Sequence, residues 1–552
     1  MVSVLIRKLL RDLLSHKMAM LALVVIVAVG VGCFVGMACV YLDMDGSRQR
    51  YYVGYRLADF TVDLKRAPEA AVEALATLPN VRSVRGRVSL SVRVELPNRP
   101  EPISGTAISM PERSAPVLND ILLRSGTWFS GRNEKEVILN EAFARANGLC
   151  PGSRVRVLLL DSQHDLLVVG TAMSPEFVYL IPSSGGLAPD PARFGVMYLT
   201  KDFSQKSCNL EGAWNQAIGL THDNSRTALD NTLRLIEEKL DPYGVTQTTP
   251  FRDQPSVWFL HDELHGLKVS ATVVPIIFLG VAALVLNILI GRIVAQQRTV
   301  IGTLRALGYS TGAILRHYLG FGFVVGAVGG VVGLLFGLWL QNQMVRIYHD
   351  YYALPDLEAH LYPNVLLAGL AISIGFALAG TVKGVRYAVQ LQPAEAMRPP
   401  PPERGGRVLA ERIGFIWTRL SFTWKMIVRA VFRNPFRSGV SVAAAFIATA
   451  LIFGVLSMRS GLDYLMRYEF DKVSHQDITV SLRDPTGSRT PSEVRGLPAV
   501  ADVEPQLSVT CNLSHGPRRK RTSVTGLPRG NLLCTPLDAE GRPIVVPDEG
   551  LV

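Results

Sequence analysis

The sequence is poor in charged residues. Only 19% of its 552 residues are Asp, Glu, Lys or Arg, whereas soluble globular proteins carry roughly a quarter. Its 48 glycines and 33 prolines are modest numbers for this length and follow no triplet repeat, which excludes collagen-like and low-complexity chains. With 48% hydrophobic residues and a mean hydropathy of +0.23, the composition indicates a membrane protein.

Several chemical motifs are also missing. No G-x-x-x-x-G-K-[ST] loop occurs, so any ATP must be hydrolysed by another chain. His164 beside Asp165, and the group His261, Asp262, Glu263 and His265, match no zinc spacing and are interpreted as solvated surface. We therefore predict that this chain holds no catalytic residues, no metal and no cofactor.

The six cysteines contain no CxxC pair. Cys33 and Cys39 lie in an apolar run, and the other four would face an oxidising exterior. A disulfide between Cys150 and Cys208, or between Cys511 and Cys534, is left open by this pattern, since neither spacing is diagnostic.

Five apolar runs are each long enough to cross a bilayer as a helix. The first exceeds the apolar core of a signal peptide and lacks a cleavage site, so we interpret it as a retained anchor. No charged residue lies in the middle of a run, which disfavours an ion-coupled transporter. Asn287 is the polar exception and predicts a hydrogen bond between helices. The predicted spans are 18–41, 268–291, 318–340, 365–382 and 439–459.

Lys and Arg set the expected orientation. They concentrate in residues 1–17, 292–317 and 383–438, which places these segments and the N-terminus in the cytoplasm. Residues 42–267, 341–364 and 460–552 then lie outside. The net charge of +11 is explained by this topology, so nucleic acid is not expected as a partner. We predict a multi-pass membrane protein in contact with the lipid bilayer.

The chain also resembles itself. ADFTVDL at Ala58 is similar to QDITVSL at Gln476, and LPNVRSV at Leu78 is similar to LPAVADV at Leu497, with an offset of about 420 residues. The second copy stops within its outer domain. From this we expect an incomplete internal repeat, whose full form would add three more spans.

The outer segment 42–267 alternates two kinds of pattern. Val88–Leu96 and Arg154–Leu160 have the character of strands, and Pro68–Leu78 and Ala228–Leu240 that of helices. The fold class predicted is therefore an α-helical membrane protein with five spans and an α+β extracytoplasmic domain.

Two short amphipathic segments accompany the spans. Residues 4–14 place leucines opposite Arg7, Lys8 and Arg11, and residues 424–437 repeat this pattern, as expected for helices lying on the inner membrane surface.

Between spans two and three, Arg298 and Arg305 lie on one side of a basic helix that Gly308 is placed to end. In span three, glycines at Gly322, Gly326 and Gly330, and at Gly333 on a neighbouring stripe, predict close helix packing.

RTVIGTLRALG at Arg298 resembles the R-E-I-G-x-L-R-A-L-G signature of FtsX-like, MacB-type ABC transporter permeases. LQPAEAMR at Leu391, RLADFTVDLKRAP at Arg56, the stretch beginning GRNEKEVILNEAF at Gly131 and MSPEFVYLIP at Met173 are similar to segments of the large two-repeat members. The resemblance implies that the basic helix is a coupling helix that binds a separate ABC ATPase subunit. Its implied contact residues are Arg298, Ile301, Gly302, Leu304, Arg305 and Gly308. Thr299 departs from the usual acidic residue.

These observations predict a permease subunit of an ATP-driven transporter. Its substrate would be a lipoprotein, lipid, peptide or drug, exported or extracted at the outer face, with an outer adaptor as a further candidate partner. One alternative is a scaffold that uses the same coupling to regulate an extracytoplasmic enzyme such as a cell-wall hydrolase. A second alternative is a receptor or adhesion protein without an ATPase.

Overall fold

The five apolar runs form long helices. The computed structural model describes residues 4–389 and 421–544, apart from gaps at 97–98, 133–134, 161, 182–188, 434, 481, 483–486, 488, 516–517, 529 and 539. It divides into residues 1–407 and residues 408–552, each described by itself. Within the described residues, five helices are long and apolar enough to cross a membrane, which confirms the predicted architecture.

In the first unit, α1 (Val4–Ser15) precedes the first spanning helix, α2 (Lys17–Gly54), and the other elements follow in chain order. The helices are α3 (Glu69–Glu73), α4 (Glu141–Ala146), α5 (Lys201–Ser207), α6 (Arg226–Leu240), α7 (Pro255–Gln296), α8 (Arg298–Ala306), α9 (Thr311–Tyr351) and α10 (Pro363–Val389). The strands are β1 (Phe60–Pro68), β2 (Val81–Arg87), β3 (Ser89–Leu96), β4 (Arg99–Met110), β5 (Leu122–Gly126), β6 (Glu136–Asn140), β7 (Arg154–Leu159), β8 (Ser162–Met173), β9 (Phe194–Thr200), β10 (Ala213–Thr221) and β11 (Val245–Pro250).

Helices α2, α7, α9 and α10 form the membrane bundle around one apolar core that includes Leu23, Leu286 and Phe321. Asn287 on α7 donates from Nδ2 to the carbonyl of Gly380 on α10 at 3.0 Å. This bond confirms the hydrogen bond predicted from its polarity, and it ties two helices together where no water competes.

Three of these helices are longer than their apolar runs. Helix α2 continues through residues 42–54, α7 begins at Pro255, and α9 runs on to Tyr351. Thirteen extra residues of α2 extend it by roughly 20 Å. The predicted domain boundaries 42 and 267 therefore fall inside helices, because hydropathy marks where a helix leaves the bilayer and not where it ends.

Between α2 and α7 the chain forms two lobes. The sheet lobe is a four-stranded sheet of order β11-β1-β10-β2 whose core includes Phe60, Leu229 and Ile236. The barrel lobe is a seven-stranded sheet of order β5-β8-β6-β9-β4-β3-β7, in which β7 also pairs with β8, so the sheet closes on itself. The barrel lobe is inserted between β2 and β10, and this arrangement confirms the α+β prediction.

The described elements of the second unit follow the order of α1, α2, α3, β3 and β4 in the first. Its helices are α11 (Phe422–Arg433), α12 (Pro435–Arg467) and α13 (Thr490–Arg495), and its strands are β12 (Leu507–His515) and β13 (Arg518–Gly526). Helix α11 begins 418 residues after α1, α12 begins 418 after α2, and β12 begins 418 after β3. The constant offset supports the internal repeat.

Candidate functional site: a short helix between two spanning helices

Helix α8 lies at the elbow between α7 and α9. Gln297 ends α7 and directly precedes α8, and Gly308 terminates the turn with a left-handed φ of +89°. The amide of Leu307 donates to the carbonyl of Thr303, and Ser310 then caps α9 by accepting from the amide of Ala313. Glycine adopts this conformation without steric cost, so Gly308 allows the chain to reverse within four residues.

The predicted contact residues do not all face outward. Ile301 is only 2% exposed and belongs to the core of the membrane bundle, Gly302 is buried, and Leu304 packs against the same core. Arg298 and Arg305 are half-buried and interact with other groups of the chain. The expectation that Ile301 and Leu304 anchor a partner is therefore corrected, because these side chains hold α8 on its own bundle.

A different face of α8 is exposed. Val300 is 43% exposed and Leu307 is 72% exposed, and Thr303 between them is exposed as well. The spacing of three and four residues places these three side chains on one side of the helix. We call Val300, Thr303 and Leu307 the outer face of α8. Helical periodicity alone could not choose between this stripe and the one beginning at Ile301.

Next to α8 lies a polar cluster that the sequence did not reveal. Asp12 on α1 is 8% exposed and forms an ion pair with Lys8. Lys8 also donates to Oε1 of Gln297 at 2.6 Å, Nε2 of Gln297 donates to Asp12 at 3.2 Å, and the hydroxyl of Tyr318 donates to Gln297 at 2.9 Å. Burial raises the pKa of Asp12, but hydrogen bonds from Lys8 and Gln297 outweigh it and lower the pKa below its ordinary value.

The glycines of α9 lie where helices approach closely. A Cβ atom added at Gly326 would lie 2.8 Å from Cα of Ile374 on α10, and one at Gly330 would lie 2.8 Å from Leu370. Gly322 faces α10 as well, whereas Gly333 faces α2, where an added Cβ atom would lie 2.7 Å from Val31. The two stripes thus place α9 between α10 and α2.

At the far end of the bundle, α7 and α9 contact one segment of the α+β domain, residues 173–181. The amide of Tyr179 donates to Oγ of Ser256 on α7 at 2.9 Å. The amide of Ala353, just after α9, donates to the carbonyl of Val178 at 2.7 Å. The side chains of Val178 and Tyr179 pack with Leu260 in a shared apolar cluster. This junction is the stretch that the resemblance singled out at Met173.

A buried ion pair holds the junction to the sheet lobe. Arg87, at the end of β2, is 2% exposed and donates from Nη1 to Oε2 of Glu176 at 2.8 Å. Arg87 also donates to Gln216 on β10, and Asn119 donates to Glu176 at 3.0 Å. Burial raises the pKa of Glu176, but the charge and hydrogen bonds of Arg87 outweigh it and hold the pKa low.

An open cleft of about 450 Å³ lies between the two lobes. Arg85 crosses its floor by donating to the carbonyls of Leu118 and Ser109 at 2.8 and 2.9 Å. Trp214 lines one wall and is contacted by the ammonium group of Lys201, 4.8 Å from the ring centre. Residues from several distant parts of the sequence line the cleft, which explains why no pocket was predicted.

Two of the other candidate residues, Glu263 and His164, contact neighbouring elements of the fold. Glu263 accepts a hydrogen bond from the hydroxyl of Tyr348 and so joins α7 to α9. His164 packs edge-on against Phe203. Within the described residues, no group of three or more His, Cys, Asp or Glu side chains is placed to hold a metal.

The described cysteines are unbridged. Cys150 is exposed and Cys208 is buried, and neither forms a disulfide. Cys534 is also a free thiol, while the side chain of Cys511 lies outside the described residues. The segment Leu391–Arg398 that contributed to the resemblance is outside them too.

Comparison with known proteins gives matches in the same regions. Residues 272–393 match the family model described as FtsX-like permease C-terminal. An uncharacterized ABC transporter permease of Mycoplasma genitalium is 22% identical over 202 residues, which cover 35% of this chain and 15% of the relative. The matched region thus spans less than a fifth of that relative's length.

Two solved structures are similar over about a third of the chain. One is the extracellular domain of the noncanonic ABC-type transporter YknZ from Gram-positive bacteria, with 13% identity and a TM-score of 0.23, covering 35% of this chain and 99% of that one. The other is the periplasmic region of MacB from Actinobacillus actinomycetemcomitans, with 12% identity and a TM-score of 0.23, covering 37% and 92%. TM-scores this low do not establish a shared fold.

The family match covers α8 and most of α7, together with α9 and α10, which are the elements that form the elbow and the glycine contacts. It confirms the resemblance on which the sequence interpretation rested: residues 272–393 are similar to FtsX-like permeases, and a stretch of 202 residues is similar to an ABC transporter permease.

Proposed function

We propose that this chain is the membrane subunit of an ATP-driven machine in a bacterial inner membrane, and that a separate ABC ATPase binds the outer face of α8. The N-terminus and α8 would lie on the cytoplasmic side, since Arg292, Arg298, Arg305 and Arg316 flank the elbow. The α+β domain would then handle a lipoprotein, lipid, peptide or drug on the opposite side, alone or with an adaptor.

One observation carries this proposal. The two helices joined by α8 are the same two that contact residues 173–181, through Ser256 on α7 and Ala353 after α9. A displacement of α8 therefore moves two long helices whose far ends bear directly on the α+β domain. This connection suits an export or extraction mechanism in which force is delivered outside the bilayer.

The outer face of α8 provides the test. Leu307→Asp should reduce the amount of ATPase that co-purifies in mild detergent by about tenfold, because a charge replaces the most exposed apolar side chain of the proposed interface. Leu361→Asp is the matched control, since Leu361 is 68% exposed at the other end of the bundle. Retention would be measured by quantitative mass spectrometry of the purified complex.

Arg305→Glu adds a second variant. Its expected result is ATP hydrolysis that no longer drives transport in proteoliposomes, because charge reversal disturbs the seating of α8 on the ATPase. Equal ATPase retention by the Leu307 and Leu361 variants would contradict the proposed interface. The absence of any nucleotide-binding subunit in the wild-type purification would contradict the function itself.

A further inference from the structure

Helix α1 carries a carboxylate on a side where apolar residues are expected. Its exposed leucines, Leu10 and Leu14, are 56% and 71% exposed, and Leu9 and Leu13 pack on the membrane bundle. Asp12 is nevertheless buried on the same side of α1 as Leu9 and Leu13. A carboxylate loses hydration there, so its position requires compensating contacts.

Those contacts all converge on the elbow. Asp12 accepts from Lys8 and from Nε2 of Gln297, while Oε1 of Gln297 accepts from Lys8 and from the hydroxyl of Tyr318. Both the oxygen and the nitrogen of the Gln297 side-chain amide therefore form hydrogen bonds within the cluster. It is also the single residue between α7 and α8. The cluster thus joins α1 and the base of α9 to the residue at which α8 begins.

His317 completes the surroundings of Asp12. Its Nε2 atom lies 4.0 Å from the carboxylate, and its ring packs edge-on against Tyr318. The cluster therefore has four side chains around one carboxylate, drawn from α1, the elbow and α9. A contact that served only to attach α1 to the bundle would not need the elbow residue at its centre.

We propose that Asp12 is a positioning residue, which with Lys8 fixes the Gln297 elbow and thereby holds α8 at a set place relative to the membrane surface on which α1 lies. This inference rests on the proposed function for its consequence, because a displaced α8 would transmit less of the ATPase movement. The position of α8 itself can be measured without any ATPase.

The first measurement is hydrogen–deuterium exchange of the full chain in nanodiscs. Asp12→Asn should accelerate exchange in peptides covering residues 296–309 by about tenfold, since a hydrogen bond to a charged group contributes roughly that factor. Arg11→Met is the matched control, because Arg11 is exposed one residue away on the same helix. Its exchange at residues 296–309 should equal that of the wild type.

The double variant Lys8→Met, Asp12→Asn distinguishes positioning from general damage. Because Lys8 also donates directly to Gln297, the double variant should exchange at least as fast as Asp12→Asn alone. It also keeps the test valid if the single variant fails to fold, since it leaves no unpaired lysine. Wild-type exchange at residues 296–309 in both variants would overturn the inference.

The second measurement is transport per ATP hydrolysed, with the ATPase bound. Asp12→Asn should lower this ratio by about tenfold without lowering ATPase retention. If the wild type shows no coupled transport, the proposed function fails while the exchange result still stands. If α8 exchanges faster but coupling is unchanged, the elbow does not govern transmission and the inference is overturned.

Discussion

The membrane bundle is held at each end by a buried carboxylate, and the two ends compensate its charge differently. At the α8 end, Asp12 is paired with Lys8 and bonded to Gln297. At the α+β end, the side chain of Asp43 is completely buried and accepts from Gln341 at 2.6 Å and from Tyr362 at 3.0 Å. Nδ1 of His360 also lies 3.2 Å from Oδ1 of Asp43.

The two clusters differ in their principal donor, which is the ammonium group of Lys8 for Asp12 and an amide and a hydroxyl group for Asp43. Lysine is a point charge on a flexible stem, so it follows a carboxylate that shifts slightly. The amide of Gln341 and the hydroxyl of Tyr362 demand directed hydrogen bonds, and Gln341 also donates to the carbonyl of His360 at 3.0 Å. Asp43 is also the more deeply buried of the two carboxylates, so its removal is expected to cost more.

Replacing Asp43 by Ala should produce the largest effect. It leaves the buried amide of Gln341 and the half-buried hydroxyl of Tyr362 without this acceptor, which should cost about 3 kcal/mol of unfolding free energy. Asp12→Ala should cost less, because Lys8 retains Gln297 and is partly exposed. Thermal unfolding in detergent would compare the two, with Asp45→Asn as the control at a 30% exposed side chain. Equal losses for Asp12 and Asp43 would contradict the distinction.

Gly326→Val should have an intermediate effect. It disturbs α9 between the two clusters, because the new Cβ atom would lie 2.8 Å from Cα of Ile374. Overpacking of this kind should cost about 2 kcal/mol. Gly375→Val on α10 is the matched control, since nothing lies within 4 Å of a Cβ atom there. Similar unfolding temperatures for both variants would show that the α9–α10 contact is loose.

The pH dependence of Asp12 should be the smallest effect. Its pKa is lowered from an ordinary value of 3.8, so the ionised group stabilises the folded state above that value and loses this contribution as the pH falls through the lowered pKa. The stability difference between wild type and Asp12→Asn should therefore stay constant from about pH 7.5 to 5. It should shrink below about pH 4. A change near pH 6 would instead point to the imidazole of His317, which lies 4.0 Å from the carboxylate.

Much of the fold could be predicted because it follows from local patterns. Apolar runs located every spanning helix, and alternation located strands such as β7, which ends at Leu159 where the prediction ended at Leu160. The ends of α2, α7 and α9 could not be predicted, because their extensions are polar and are stabilised by contacts with the α+β domain. Their helical character depends on tertiary packing.

Only those features of the candidate site that follow from local sequence patterns could be predicted. The position of α8 and its termination at Gly308 follow from local spacing. The inward orientation of Ile301 depends on residues of α7 and α9, and Lys8 meets Gln297 across 289 positions of sequence. No pattern within a window of one or two helical turns contains that information.

Proline distinguishes the two helices that α8 connects. Helix α7 has 42 residues, which corresponds to roughly 63 Å, and it contains Pro275, where one backbone hydrogen bond is lost and bending is easiest. Helix α9 contains no proline in its 41 residues. The two helices therefore differ in stiffness. A tilt of about 5° at the elbow would displace the far end of α9 by roughly 5 Å. Helix α7 can bend at Pro275, so its far end would move less for the same tilt.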